Sequence, residues 1–411
     1  VKNGWRAAMI AAILVWFVLA IRLMIADVWD ETNGMLYFSD VSISLATKIH
    51  FVLTQSLGFW RPLPTLIAAV FLHFIPSFNV SWRVLRLVNM LMMTGALLLL
   101  LNAADRWSAR SDRRRFFFTI AFLFSGSGFI AAGWYANIFD VTAMLILAAG
   151  LSQLARGRDV AAGVIFGVAF FAKETAILIL PFLVILMVAG RISLPRILRT
   201  FLPALILGAT YFVIRSHIVP FGQAGDVHGF ERQHLIPTLI NFASTFWIEA
   251  LKRPMFIAGF AFLAVSLAAL RRPRLIVLTA LFVIGGAIIY WGMFLDYENG
   301  TLIHFHNFVG RLYLIPVALF LFLLTIEKRD AAIAVLLIPI LFGGAVTYRD
   351  HARFQRMYKR IYRTAAEAKV KPLRIHFPMK PLADKVRGID IGDHPDANVV
   401  IDAKSGRLIY R

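Results

Sequence analysis

The chain contains no cysteine, so it can form neither a disulfide nor a thiolate metal site, and its sequence carries no mark of a redox compartment. Charge is scarce too: 16% of the 411 residues are Asp, Glu, Lys or Arg, against about 25% in a soluble globule. No P-loop, no G-x-G-x-x-G fingerprint and no His-Glu-x-x-His pair occurs, so ATP-driven transport and zinc proteolysis find no support. No internal repeat or low-complexity segment is evident.

What fills the chain instead is apolar: 59% of its residues, 36 Phe and 9 Trp among them, with a mean hydropathy of +0.73. The apolar residues come in runs of roughly 15–23 with almost no charge, each near the length that spans a hydrocarbon core. Lipid offers no partner to a free backbone N–H or C=O, so such runs must be helices. The formal charge of +20 comes mainly from short Arg/Lys clusters between the runs and from the C-terminal tail. Clusters of that kind set membrane topology, and they form no continuous basic patch with interleaved aromatics for nucleic acid.

Basic clusters orient the runs. Lys2 and Arg6 place the N-terminus in the cytoplasm, and a first helix over about Trp5 to Ile25, too long and aromatic for a signal peptide, delivers Asp27, Asp30, Glu31 and Asp40 to the outer face. The cluster Arg106 to Arg115 is cytoplasmic, so the segments Val41 to Leu57 and Leu63 to Ile75 lie on the outer membrane surface instead of crossing. Further helices are expected over Trp82 to Leu101, Phe116 to Ala136 and Phe139 to Ala155.

The two runs flanking Lys173 and Glu174 read as a short hairpin, because only a hairpin keeps Arg191, Arg196 and Arg199 inside together with Arg156 and Arg158. Helices over Phe201 to Val219, Met255 to Leu270, Leu275 to Leu295, Leu312 to Ile326 and Ala331 to Val346 complete about eleven crossings. The expected division is a transmembrane domain, 1–347, and a soluble tail, 348–411, with some strand around Asn398 to Ile401. An odd count of crossings sends the tail outside, against the pull of Arg349, Arg353, Arg356, Lys359 and Arg360.

Several groups could carry chemistry. Adjacent carboxylates beside an apolar wall, as at Asp30 and Glu31, repel one another and gain proton affinity, which suits a general base; an ordinary solvated loop is the alternative. Arg311, Lys173 and Arg61 sit where cations could neutralise a phosphate at headgroup level, or could simply snorkel. His304 and His306 have no third ligand in view and make a weak metal signal; hydrogen bonding to phosphate or sugar suits them better. Tyr135, Asn137 and Asp140 sit at an outer turn, lining a cavity or capping helices. Glu174 either pairs with Lys173 or joins Tyr313 in that cavity.

These residues also carry a resemblance. The Asp30-Glu31 pair just after the first helix resembles the acidic loop of protein O-mannosyltransferases, whose pair is held to deprotonate the acceptor. Arg61-Pro62-Leu63, followed by a helix with Asn89, is similar to the "RPL" segment of bacterial GT-C glycosyltransferases. Ala172-Lys173-Glu174-Thr175 resembles their "KE" element, and Arg311-Leu312-Tyr313-Leu314-Ile315-Pro316 their "RYLYLP" element. The chain departs from the patterns in lacking a histidine-proline stretch and in reading Asp-Glu where bacterial relatives commonly have Asp-Asp.

The resemblance implies an all-helical GT-C bundle in a bacterial inner membrane, with its active site on the periplasmic face. It implies transfer of a monosaccharide from a polyprenyl-phosphate donor to a glycan, lipid or protein hydroxyl, with inversion. Asp30, with Glu31 or Asp40, would serve as base, and Arg311 and Lys173 would hold the leaving phosphate. No cofactor is firmly implied, and a divalent metal has no support. A lipid-diphosphate-dependent polymerase or ligase, or a non-enzymatic transporter or flippase, is the alternative.

Overall fold

In a computed structural model of the chain, the described residues are 2–22, 38, 40, 42–55, 60–75, 78–133, 137–219, 264–291, 314–367, 373–376, 389–392, 399–401 and 408–410. The apolar runs are helical, as the absence of backbone partners in lipid demands. In chain order they are α1 (Lys2–Arg22), α2 (Leu45–Thr54), α3 (Pro62–Phe74), α4 (Phe78–Trp107), α5 (Asp112–Leu123), α6 (Gly126–Gly133) and α7 (Ile138–Ala155). There follow α8 (Asp159–Phe170), a 3-10 turn (Glu174–Leu178), α9 (Ile179–Val188), α10 (Leu194–Ile218), α11 (Pro273–Trp291), α12 (Leu314–Ile326) and α13 (Asp330–Glu367).

A helix stands at each expected crossing, the one before Leu270 being described only over 264–268. Among the described residues, four helices are long and apolar enough to cross a membrane by length and composition: Gly4–Arg22, Arg83–Trp107, Ile138–Ala155 and Leu194–Ile218. The expected single helix from Phe116 to Ala136 is broken into α5 and α6. The cause is Ser125, whose hydroxyl donates back to the Phe122 carbonyl and accepts the Gly128 N–H at 3.0 Å, closing one helix and capping the next.

One end of the bundle is rich in arginine, and its turns cap one another. Arg191, after α9, donates to the carbonyls of Trp107 (2.8 Å) and Ile326 (2.7 Å) and pairs with Glu327 at 2.9 Å. Arg329, after α12, donates to Leu270 O at 3.3 Å, and Arg272, two residues beyond Leu270, donates to Ala189 O at 3.2 Å beside Arg191. The three turns therefore form a closed cycle in which each arginine satisfies a helix end that has run out of intrahelical partners. Arg196 joins them by clamping Asp159 (2.8 Å) and Leu154 O (2.6 Å), and Arg114 pairs with Asp330.

This arrangement agrees with the hairpin expected of the two runs flanking Lys173 and Glu174. Asp159 at the start of α8 and Ala189 after α9 both lie at the basic end, so the chain between them leaves and returns as a hairpin. Its outgoing arm of 12 residues rises only about 18 Å, well short of a hydrocarbon core of about 30 Å. Close packing of α8 on α10 supports it: a Cβ on Gly163 would lie 2.2 Å from the Thr200 carbonyl oxygen, and one on Gly167 would lie 2.5 Å from the Leu207 Cβ. The two glycines, four apart, put the helices in backbone contact, as small residues do in membrane bundles.

At the centre stands α12, every residue of which is buried. From its start at the basic end, α13 runs 38 residues, about 57 Å, and so outruns the core. It passes residue 347 without a break. Beyond it four short strands form a sheet in the order β2-β1-β3-β4, where β1 is Leu373–His376, β2 Ile389–Gly392, β3 Val399–Ile401 and β4 Leu408–Tyr410. β1 is parallel to β2 and β3, and β3 and β4 are antiparallel, with Val400 opposite Ile409.

Candidate functional site

The hairpin tip, at the end opposite the arginine cycle, gathers a second group of ionisable side chains. Phe171 O accepts the Leu63 N–H at 3.3 Å, which fixes the first turn of α3 against the tip. The residue before that helix, Arg61, points its Nε and a terminal nitrogen at Glu174 Oε2, both at 3.0 Å. Its guanidinium carbon also sits 5.4 Å from the Phe139 ring centroid, a cation–π distance. From α10, Arg215 Nε lies 3.4 Å from Glu174 Oε1, and the Tyr211 hydroxyl is 2.9 Å from the same oxygen and 3.0 Å from Trp60 O. Trp60 stacks on Tyr211 at 5.6 Å, and its indole N–H donates to Val52 O, tying α2 into the same group.

Next to Glu174, Lys173 is buried and donates to Asp140 Oδ1 in the first turn of α7. The Asp140 carboxylate also acts electrostatically on Arg61. Among the described residues, the tip thus holds three cations, Arg61, Lys173 and Arg215, against two carboxylates, Glu174 and Asp140. A low-dielectric surrounding strengthens each of these interactions and the pull of the one excess positive charge on any anion that enters. The Thr175 hydroxyl is buried beside them without a hydrogen-bond partner among the described residues.

Of the residues singled out in the sequence, Arg61, Lys173 and Glu174 are brought together. Asn137 is buried at the N-cap position of α7 without making a side-chain cap bond, and Asn89 is buried on α4. Asp40 belongs to a different group. One of its oxygens accepts the Ser42 N–H at 2.8 Å and the Ser42 hydroxyl at 2.7 Å, and these bonds hold its carboxyl below the usual aspartate range, so it is ionised at neutral pH. Nearby, the buried Lys48 ammonium donates to Phe38 O at 2.7 Å and to His73 Nδ1 at 3.1 Å. An ammonium only donates, so the imidazole proton sits on Nε2.

His73 and Arg61 are at opposite ends of α3, about 18 Å apart along its axis, so the Asp40 group and the hairpin tip are distinct. Asp30, Glu31, Tyr135, His304, His306, Arg311 and Tyr313 lie outside the described residues. Among the described residues no group of three His, Cys, Asp or Glu could hold a metal ion.

Sequence reading missed Tyr211 and Arg215 and left Asp140 between lining a cavity and capping a helix. The signal for the first two was present: Tyr and Arg four apart in an apolar helix share one face, and an arginine in such a helix needs a partner.

No family model matches the chain, and no curated protein matches it. Among solved structures, it is similar to the crystal structure of ArnT from Cupriavidus metallidurans in the apo state, at 15% identity, over 92% of this chain and 83% of that one, with a TM-score of 0.50. At that identity the likeness concerns the fold alone, and it agrees with the class expected from the motifs: the chain is a polytopic membrane protein with a GT-C-like helical bundle, followed by the small sheet of its tail.

Proposed function

We propose that the chain is a membrane glycosyltransferase that takes a monosaccharide from a polyprenyl-phosphate carrier and passes it to an acceptor hydroxyl. The observation that carries this reading is the hairpin tip, where Arg61, Lys173 and Arg215 surround Glu174 and Asp140, with one positive charge in excess among the described residues. A phosphodiester arriving from the lipid side finds donors already oriented by their carboxylates, and it carries the single negative charge that balances them. As the sugar leaves, charge grows on the phosphate, and preorganised cations stabilise that growth more than the ground state.

In the same proposal Arg311, with His304 and His306, adds donors to the phosphate, and Tyr135, Asn137 and Tyr313 line the sugar cavity. The base is Asp30 or Glu31, with Asp40 as a rival. Proton removal from the acceptor hydroxyl accompanies its attack on the anomeric carbon, the bond to the phosphate oxygen breaks, and the configuration inverts. The likeness to the ArnT fold and the motif order support a lipid-linked donor. The positive-inside bias supports a tip facing the periplasm of a bacterial inner membrane.

The test is release of polyprenyl phosphate from a synthetic polyprenyl-phosphate sugar by the purified chain in lipid. We expect Arg61→Gln and Arg215→Gln each to cut the rate by about 10²-fold or more, and Asp30→Asn to abolish it if Asp30 is the base. Wild-type rates in both arginine variants would remove the tip from the mechanism. Movement of a solute across vesicles by a chain that never consumes the donor would make it a transporter.

A further inference from the structure

At the basic end, helices stop in one recurring way. Gly157 N bonds Leu154 O (3.0 Å) while Arg158 N bonds Gln153 O (3.1 Å). Gly190 and Arg191 repeat the pattern on Met187 and Leu186, and Lys328 and Arg329 repeat it on Thr325 and Leu324. Arg271 N makes the corresponding inner bond to Ala268 O at 3.1 Å. This closure places the residue after the helix in left-handed backbone, which glycine adopts without strain. Gly157 and Gly190 do so at φ +79° and +74°, but Arg271 and Lys328 do so at +60° and +57°, with side chains that disfavour it.

The two strained cations sit on turns that are joined to one another. The Arg329 bond to Leu270 O joins their turns, and Arg271, Arg272, Arg274 and Lys328 are all exposed there. The nearest acids are already engaged, Glu327 by Arg191 and Asp330 by Arg113 and Arg114. Among the described residues, no carboxylate forms an ion pair with Arg271, Arg274 or Lys328. The result is a compact cationic surface at the membrane boundary, on the side that charge bias assigns to the cytoplasm.

We propose that the joined turns 270–274 and 326–329 bind the headgroup of an anionic phospholipid of the cytoplasmic leaflet, with Arg271, Arg274 and Lys328 on its phosphate. Guanidinium forks match phosphate oxygens in pairs, the Arg329 side-chain bond to the Leu270 carbonyl holds the two turns together, and the leaflet supplies the anion at that depth. The proposal does not depend on sugar transfer.

Cardiolipin is the probe, titrated into the purified full-length chain and followed by native mass spectrometry and by thermal unfolding against phosphatidylcholine. The double variant Arg271→Gly/Lys328→Gly is expected to melt no lower than wild type in phosphatidylcholine, because glycine suits both backbones. It should bind cardiolipin about fivefold more weakly for each charge removed. Arg271→Lys/Lys328→Arg should bind as wild type does. Unchanged cardiolipin binding by the glycine variant overturns the proposal. So does an equal loss on Arg6→Gln, which would mean diffuse attraction and no site, and so does inorganic phosphate reproducing the lipid's thermal shift.

Discussion

The two ends of the bundle use the same residue types to opposite purpose. At the basic end, arginines finish helices: Arg191, Arg272 and Arg329 spend their donors on backbone carbonyls, and the carboxylates Glu327, Asp330 and Asp159 each have a close cation. At the hairpin tip, the cations meet carboxylate side chains and, among the described residues, outnumber them. A donor bound to a carbonyl belongs to the fold. A donor bound to a carboxylate can be shared with an arriving anion, because the carboxylate keeps the cation oriented while part of its charge remains available.

That contrast can be broken most severely at Lys173. Lys173→Met leaves Asp140 buried and unpaired, and we expect a loss of about 3–5 kcal/mol in thermal or denaturant unfolding. Lys173→Met with Asp140→Leu should recover most of that stability, yet lose sugar transfer by about 10²-fold, which separates the structural from the chemical role of the pair. Recovery of transfer along with stability would make the pair structural only.

The basic end should behave differently. Arg191→Met strands the buried Glu327 and two carbonyls, with a loss of about 3 kcal/mol in the same measurement. Turnover per folded molecule should not change, since the proposed donor-phosphate site lies at the opposite end of the bundle. Gly163→Ala forces a methyl group onto the Thr200 carbonyl, at a cost of about 1–3 kcal/mol from the α8–α10 contact. It should lower the apparent affinity for donor more than it lowers the maximal rate, because the hairpin carries Lys173 and Glu174.

The smallest effect is at Asp40. Its carboxyl is held below the ordinary aspartate value, so the ionised form is favoured by folding; the stabilisation is present at neutral pH and is lost as the pH falls below about 4. Hydrogen exchange of α2 should rise on that acid limb in wild type and lose its pH dependence in Asp40→Asn.

The positions of the helices were legible in the sequence because each depends on a local property, a run of apolar residues between basic clusters. The hairpin was legible for the same reason: Arg158 and Arg191 had to share a side, and only a return of the chain allows it. The break at Ser125 was missed, although Ser-Gly-Ser-Gly carries the residues that bend helices, because the flanking Phe and Ile residues kept the run apolar. Asp40 and Lys173 looked like members of one surface; their separation follows from the length of α3 and the bond between Lys48 and His73, neither of which leaves a trace in spacing. Arg215 was passed over because a lone arginine in an apolar helix has several ordinary explanations, and only the arrival of Glu174 from another hairpin distinguishes among them.

The buried state of α12 bears on biogenesis. Within 314–326 α12 has no side facing lipid, so its native packing is made with other helices instead of with the bilayer. It needs a finished cradle, and most of that cradle, α4 to α7, the 3-10 turn and α11, precedes it in the chain, so translation itself supplies the parts in the order that assembly needs them.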